Sequence, residues 1–139
     1  MNQLFDIACN FTHESFNDDL NKVIDDGLAN GVNRFLVVAA ELDDAEKINK
    51  LILQHDDFFC FTTGVHPHHA KSFNSDSSDR MRELIKKYSP NALGEMGLDF
   101  FRNLSSHDEQ VFAFAEQIKL AIEFNKPLFL HQRDAHESF

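Results

Sequence analysis

Two short apolar runs in this chain each stop at a side chain able to bind a metal ion. In Asn91 to Phe101, NALGEMGLDFF, Glu95 follows Ala92-Leu93-Gly94; in Pro127 to Asp134, PLFLHQRD, His131 follows Leu128-Phe129-Leu130. A carboxylate and an imidazole from neighbouring strands can share a divalent ion, with open positions left for water or a substrate oxygen. Water bound there becomes a nucleophile near neutral pH. A third run, FFCFTT, leads through Gly64-Val65 into His66-Pro67-His68-His69, and His66 stands closest to the strand end, which favours it over His68 and His69. Asn10 follows the first apolar run, Asp99 lies beyond Glu95, and Arg133 and Asp134 lie beyond His131. All of these would project at one face of a parallel sheet.

Each residue also has an ordinary structural alternative. Glu95 can equally cap a loop or pair with Arg102 or Arg133, although the flanking Gly94 and Gly97 point to close backbone approach. An imidazole after four apolar residues, as at His131, must find a partner once buried. Asp99 is read as a substrate contact, with a histidine partner or a turn former as alternatives. His13, His55, His107 and His136 are expected to face solvent.

The elements that must position these groups alternate in type. Leu4 to Cys9 is a first strand, and from Ser15 a helical period appears in Phe16, Leu20, Val23, Ile24 and Leu28, with Ser15 as N-cap and Gly31 as terminator. Arg34 to Ala40 is a buried strand, and Asp43 with Glu46 has capping spacing ahead of Ala45, Ile48, Leu51 and Ile52. Phe58 to Thr63 is the third strand, Ser72 to Asp79 a Ser/Asp-rich loop, and Met81, Leu84, Ile85 and Tyr88 mark a helix stopped before Pro90. Ala92 to Glu95 is the fourth strand. Ser106 and Glu109 form a capping box opening a helix over Val111 to Phe124, closed by Asn125 and Pro127 before a fifth strand, Leu128 to Leu130.

Strict strand–helix alternation specifies βα units and a parallel sheet. Its 139 residues are the size of one domain, and 42% apolar content with fifteen phenylalanines is enough for a packed core. A net charge of −10 and a pI near 5.1 argue against a broad basic nucleic-acid surface, but not against local handling of phosphate by metal ions and a few arginines. Cys9 and Cys60 are read as small core residues. No apolar run reaches membrane-spanning length and the first residues carry no export pattern, so a cytoplasmic protein without membrane association is expected. Glycine-rich phosphate loops and GxSxG elbows do not occur. Five βα units fit either an open doubly wound sheet or part of a barrel; an open sheet would cover its last strand with a helix, which is only starting at Glu137-Ser138-Phe139. The reading is therefore α/β: a single domain, residues 1–139, forming a parallel (β/α) barrel of TIM type truncated to about five of eight units.

The segments DIACNFTHESF, GVHPHH, GEMGLDFFRN, DEQVFAFAEQIKLA and PLFLHQRDAHESF together resemble the TatD family of metal-dependent deoxyribonucleases, among the amidohydrolase-like barrels. The resemblance implies a (β/α)₈ fold and hydrolysis of DNA phosphodiester bonds, exonuclease-like and directed at single-stranded ends. It also implies a divalent metal, magnesium or else manganese or zinc. Position by position it makes Glu95 and His131 metal ligands, His66 a catalytic residue lining the substrate phosphate site, and Arg133 a phosphate contact. Many relatives carry His-x-His after the first strand, where this chain has Ala8 and Asn10, so one metal corner has fewer ligands. Further ligands of the family, a histidine and an aspartate at later strand ends, would fall beyond Phe139, so the chain alone is expected to be inactive. Two other readings stand beside this one: a metal-dependent hydrolase of a small amide, lactone or phosphoester, and a non-catalytic barrel fragment that self-associates through its open edges.

Overall fold

Apolar runs of five to eight residues, too short for buried helices, are expected to pair as strands once helices can cover them. In the computed structural model, which describes residues 3–55 and 58–139, they do so. The strands are β1 (Leu4–Cys9), β2 (Val32–Val37), β3 (Phe59–Thr63), β4 (Ala92–Asp99) and β5 (Leu128–Arg133), and the helices are α1 (Leu20–Ala29), α2 (Asp44–Ile52), α3 (Ser75–Tyr88) and α4 (His107–Phe124). All neighbouring strands are parallel and the order is β1-β2-β3-β4-β5. A doubly wound sheet reverses its order at a switch point. This sheet has no reversal; it is five consecutive staves of a barrel, as the sequence predicts.

Two cores meet at β3 and β4. Phe11, Phe35, Phe59 and Phe61 pack with Ile24 and Ile48 under α1 and α2, with Phe11–Phe35 and Phe35–Phe59 ring centroids 5.7 and 5.6 Å apart. Leu93, Met96, Met81, Ile85 and Leu120 pack under α3 and α4. The outer strands are less covered: Leu4, Phe5 and Ile7 of β1 and Leu128 and Leu130 of β5 remain exposed. Cys9 is buried and Cys60 half-buried, both unpaired; burial, and then the negative charge of Asp6, push the Cys9 thiol up to about 12. Among the described residues no helix is long and apolar enough to cross a membrane.

Several boundaries differ from the sequence reading, each for a local reason. Ser15 does not cap α1. Its N–H goes to His13 Nδ1 at 3.2 Å, Glu14–Phe16 form a 3₁₀ turn, and Phe16 packs edge-on against Phe11 at 5.5 Å, which delays the helix to Leu20. Asp43 pairs with Arg80 instead of capping α2, while the Asp44 carboxylate accepts the N–H groups of Ala40 and Glu41, both at 3.0 Å. The Ser/Asp stretch expected to be a loop opens α3: Asn74 and Ser77 form a reciprocal capping box. The box of Ser106 and Glu109 opens α4 as expected, four residues before Val111. β2 starts and ends earlier than read from sequence, whereas β4 and β5 continue past Glu95 and His131 to Asp99 and Arg133.

Gly94 and Gly97 are what allow β4 and β5 to touch. Both have left-handed φ, 141° and 142°, and a side-chain carbon on Gly94 would overlap the carbonyl oxygen of Phe129, one on Gly97 that of His131. Alanine at Gly97 is therefore expected to destabilise the fold by roughly 2–4 kcal/mol through combined clash and strain. Urea unfolding of Gly97→Ala checks this, and a loss under about 1 kcal/mol would show that the backbone absorbs the methyl.

Candidate metal centre

The cluster begins with backbone placement. Just past β2, Ala39 and Ala40 accept the N–H groups of Glu95 (3.0 Å) and His66 (2.9 Å), so a glutamate of β4 and the residue following β3 are held to one support. β5 brings His131 opposite Gly97. From α4, two buried glutamines reach the strand ends as another strand would. Gln117 Oε1 accepts from Val65 N–H at 2.7 Å and its amide donates to Val65 O at 3.0 Å. Gln110 Oε1 accepts from Asp99 N–H at 2.7 Å and its amide donates to the carbonyls of Asp99 (3.1 Å) and Ser105 (2.9 Å). Sequence reasoning passed over both; the signal was two glutamines seven residues apart on the helical stripe that also holds Ala113 and Leu120.

These supports bring together four residues singled out from sequence and one that was not. Glu95 Oε1 lies 3.0 Å from His131 Nδ1 and 3.6 Å from His66 Nε2. The three side chains offer donor atoms all within 4.8 Å of one another, close enough to surround one ion. Asp99 Oδ2 lies 2.7 Å from His68 Nε2 and 3.2 Å from His131 Nε2, while Asp99 Oδ1 accepts from the N–H groups of Phe101 (3.1 Å) and Arg102 (2.8 Å). Asp99 is thus histidine partner and turn former at once, and with only 1% exposure it has no face left for a substrate contact. His68, ranked below His66 from sequence, is the addition. His69 sits outside the cluster, 3.4 Å from Glu41. Glu95 pairs with imidazoles rather than with either arginine considered from sequence. Arg133 instead lays its guanidinium over the half-exposed Phe101 ring, 3.9 Å from the centroid. His13, His107 and His136 are exposed as expected; His55 is half-buried against Phe59, with ring centroids 5.4 Å apart.

The hydrogen bonds assign roles to ring nitrogens. His66 Nδ1 accepts the N–H of His68 at 3.1 Å, so it carries a lone pair and the proton sits on Nε2, aimed at Glu95. That makes His66 a donor. Burial holds its pKa below the ordinary histidine value despite the Glu95 carboxylate, which keeps the ring neutral. Burial also pushes the Glu95 carboxyl upward, but the Nε2–H of His66, and after it the neighbouring His131 imidazole, outweigh burial and hold Glu95 below its usual value. Asp99 is treated the same way: burial raises it, and the Arg102 N–H, His68 and His131 together pull it down to about 2. One carboxylate and one imidazole 3.0 Å apart, with open space beside the carboxylate, suit a divalent cation. The open space is a cavity of about 250 Å³ lined by Ala8, Asn10, Ala39, His66, His68 and Glu95, and at Ala8 and Asn10 it offers no imidazole.

Five consecutive parallel staves with a carboxylate–imidazole cluster drawn from β4, β5 and the segment after β3 define a half-barrel of TIM type carrying a candidate divalent-metal centre. The chain belongs to the TatD related DNase family, whose pattern it matches over residues 5–139. It is 43% identical over 136 residues to a "3'-5' ssDNA/RNA exonuclease TatD" of Pantoea ananatis and 41% identical over 137 residues to the protein of that name from Cronobacter sakazakii. Each alignment covers 98% of this chain, and the chain spans about half the length of these relatives, 52% and 51%. The TatD homolog YJJV of Escherichia coli K12 superposes with a TM-score of 0.86 at 24% identity, over 97% of this chain and 52% of that one. An uncharacterized amidohydrolase of Saccharomyces cerevisiae does so at 0.89 and 22%, over 99% and 50%. These two likenesses carry the barrel architecture.

Leucine at Gln117 fills the same space but strands the Val65 N–H and carbonyl, and is expected to cost about 2–4 kcal/mol in urea unfolding, since each buried unpaired group costs about 1–3. An unchanged midpoint would mean water replaces the amide. The depressed Asp99 carboxyl sets a pH dependence: its contribution is present above its unfolded value near 3.8 and lost as pH falls toward about 2. The stability gap between the wild type and Asp99→Asn should therefore narrow in unfolding curves taken from pH 5 down to pH 2, and a gap that stays constant would contradict the assignment.

Proposed function

We propose that residues 1–139 are the N-terminal part, as one domain, of a metal-dependent hydrolase barrel that cleaves phosphodiester bonds of DNA at single-stranded ends. The observation that carries this reading is the 3.0 Å meeting of Glu95 and His131 across β4 and β5, in a chain of the TatD family whose curated relatives are named as single-strand exonucleases. Those names include RNA, which the same centre would also reach. Because the chain spans about half of each relative, the reading takes the remaining ligands from later strands, and the 139 residues alone are expected to be inactive.

In this reading Glu95 and His131 hold the metal, His66 donates its Nε2 proton to a phosphate oxygen, and Arg133, kept flat by Phe101, takes a second phosphate oxygen. Magnesium suits the carboxylate, while the imidazole also admits manganese or zinc. The ion, when bound, would polarise the phosphoryl oxygen and acidify a water. Glu95, ionised despite burial, supplies the negative charge that such an ion needs. Two unpaired cysteines are in keeping with a cytoplasmic location.

In a chain comprising the complete barrel, Glu95→Ala is expected to lower magnesium-dependent release of nucleotides from a single-stranded oligonucleotide by more than about a hundredfold. Undiminished cleavage would remove Glu95 from the mechanism. Turnover that falls steeply with added salt marks a polyanionic substrate, whereas salt-indifferent turnover of small esters or amides would favour the small-molecule alternative.

A further inference from the structure

We propose that Asp99 is a positioning residue that fixes the proton of His131 on Nε2 and so leaves Nδ1 as the nitrogen facing Glu95. The inference rests on the reading of Glu95 and His131 as the metal-holding pair. An ionised carboxylate only accepts, and Asp99 Oδ2 has two ring nitrogens against it, His68 Nε2 at 2.7 Å and His131 Nε2 at 3.2 Å. Both nitrogens must therefore carry hydrogen. In the neutral His131 ring the lone pair is then on Nδ1, 3.0 Å from Glu95 Oε1, and two lone pairs facing each other leave a place that a cation fills.

The direction of this control comes from the turn after β4. Phe101 and Arg102 donate their N–H groups to Asp99 Oδ1, at 3.1 and 2.8 Å, so that atom must be an acceptor and the carboxylate cannot rotate freely. His68 closes the other side, and its ring lies 4.3 Å from that of His66. The same turn carries Phe101, on which Arg133 is stacked, so one buried carboxylate ties the orientation of the His131 imidazole to the placement of the guanidinium.

Asparagine at position 99 would invert the arrangement without changing its shape. The two backbone donors retain the amide oxygen at the Oδ1 position, which puts the NH₂ group against His68 and His131. His131 Nε2 must then accept, and its proton moves to Nδ1, into a hydrogen bond with Glu95 that blocks the cation position.

The test is ¹⁵N–¹H correlation of the histidine rings in the metal-free protein at alkaline pH, followed by manganese titration monitored by electron paramagnetic resonance. The wild-type His131 ring is expected as the Nε2–H tautomer; an Nδ1–H or doubly protonated ring overturns the proposal without need of any variant. Asp99→Asn, shown to be folded by its thermal melt, is expected to present His131 as Nδ1–H and to bind manganese about 10–100-fold more weakly, the range for loss of a group that orients a ligand. An unchanged tautomer in that variant would equally overturn it. If the tautomers behave as stated but Glu95→Ala binds manganese as well as the wild type, the metal-pair reading fails while the role of Asp99 in setting the ring stands.

Discussion

The contact between β4 and β5 is the constraint from which the rest follows. Two parallel strands can present a carboxylate and an imidazole to one ion only if their backbones approach closely along the stretch that carries both. Here the approach occurs at Gly94 and Gly97, where any side chain would strike the carbonyls of Phe129 and His131. Glu95 lies between these two glycines. The carboxylate of the cluster is thus framed by residues that serve backbone proximity, which explains why the segment resists the ordinary preference of strands for branched side chains. Covering this contact, α4 contributes apolar residues and two amides that satisfy strand-end backbone groups no neighbouring strand reaches.

Much of this architecture is visible in the amino-acid order. Short apolar runs alternating with helical periods are enough to give five parallel strands, and the two glycines flanking Glu95 are enough to mark close approach. What the order hides is competition among neighbours for the same donors. Ser15 has the spacing of a helix cap, but His13 is two residues away and takes its N–H first; Asp43 has the spacing too, but Arg80, distant in the chain, claims its carboxylate. The Ser/Asp stretch before α3 looks like a loop because capping residues and loop residues are the same types, and only the reciprocal bonds of Asn74 and Ser77 separate the two.

The cluster shows the same division. Strand-end position pointed to Glu95, His131 and His66, because a polar group ending an apolar run is conspicuous. It could not rank His68, whose ring is turned toward Asp99 by the 3₁₀ turn at Pro67–Ser72, a local geometry that residue spacing does not encode. Nor could it separate the two nitrogens of each ring. His66 and His131 look alike in a sequence, yet one uses Nδ1 to accept a backbone N–H and the other directs Nδ1 at a carboxylate, a difference that only the fold creates.

The overall charge of −10 and the polyanionic substrate proposed above are compatible for a reason of scale. At physiological ionic strength charges are screened over about 8 Å, so the acidic exterior acts on the approach of a nucleic acid and much less on a phosphate already in the cleft. Among the groups of the cluster, Glu95 and Asp99 are held below the usual carboxylate range, His66 is kept neutral by burial, and Arg133 lies flat on Phe101. A centre holding two carboxylates repels phosphate until a divalent cation is added. In the reading proposed above, an ion at Glu95 would offset that repulsion while the exterior stays acidic, so binding of a strand end would be coupled to binding of the metal rather than to the surface.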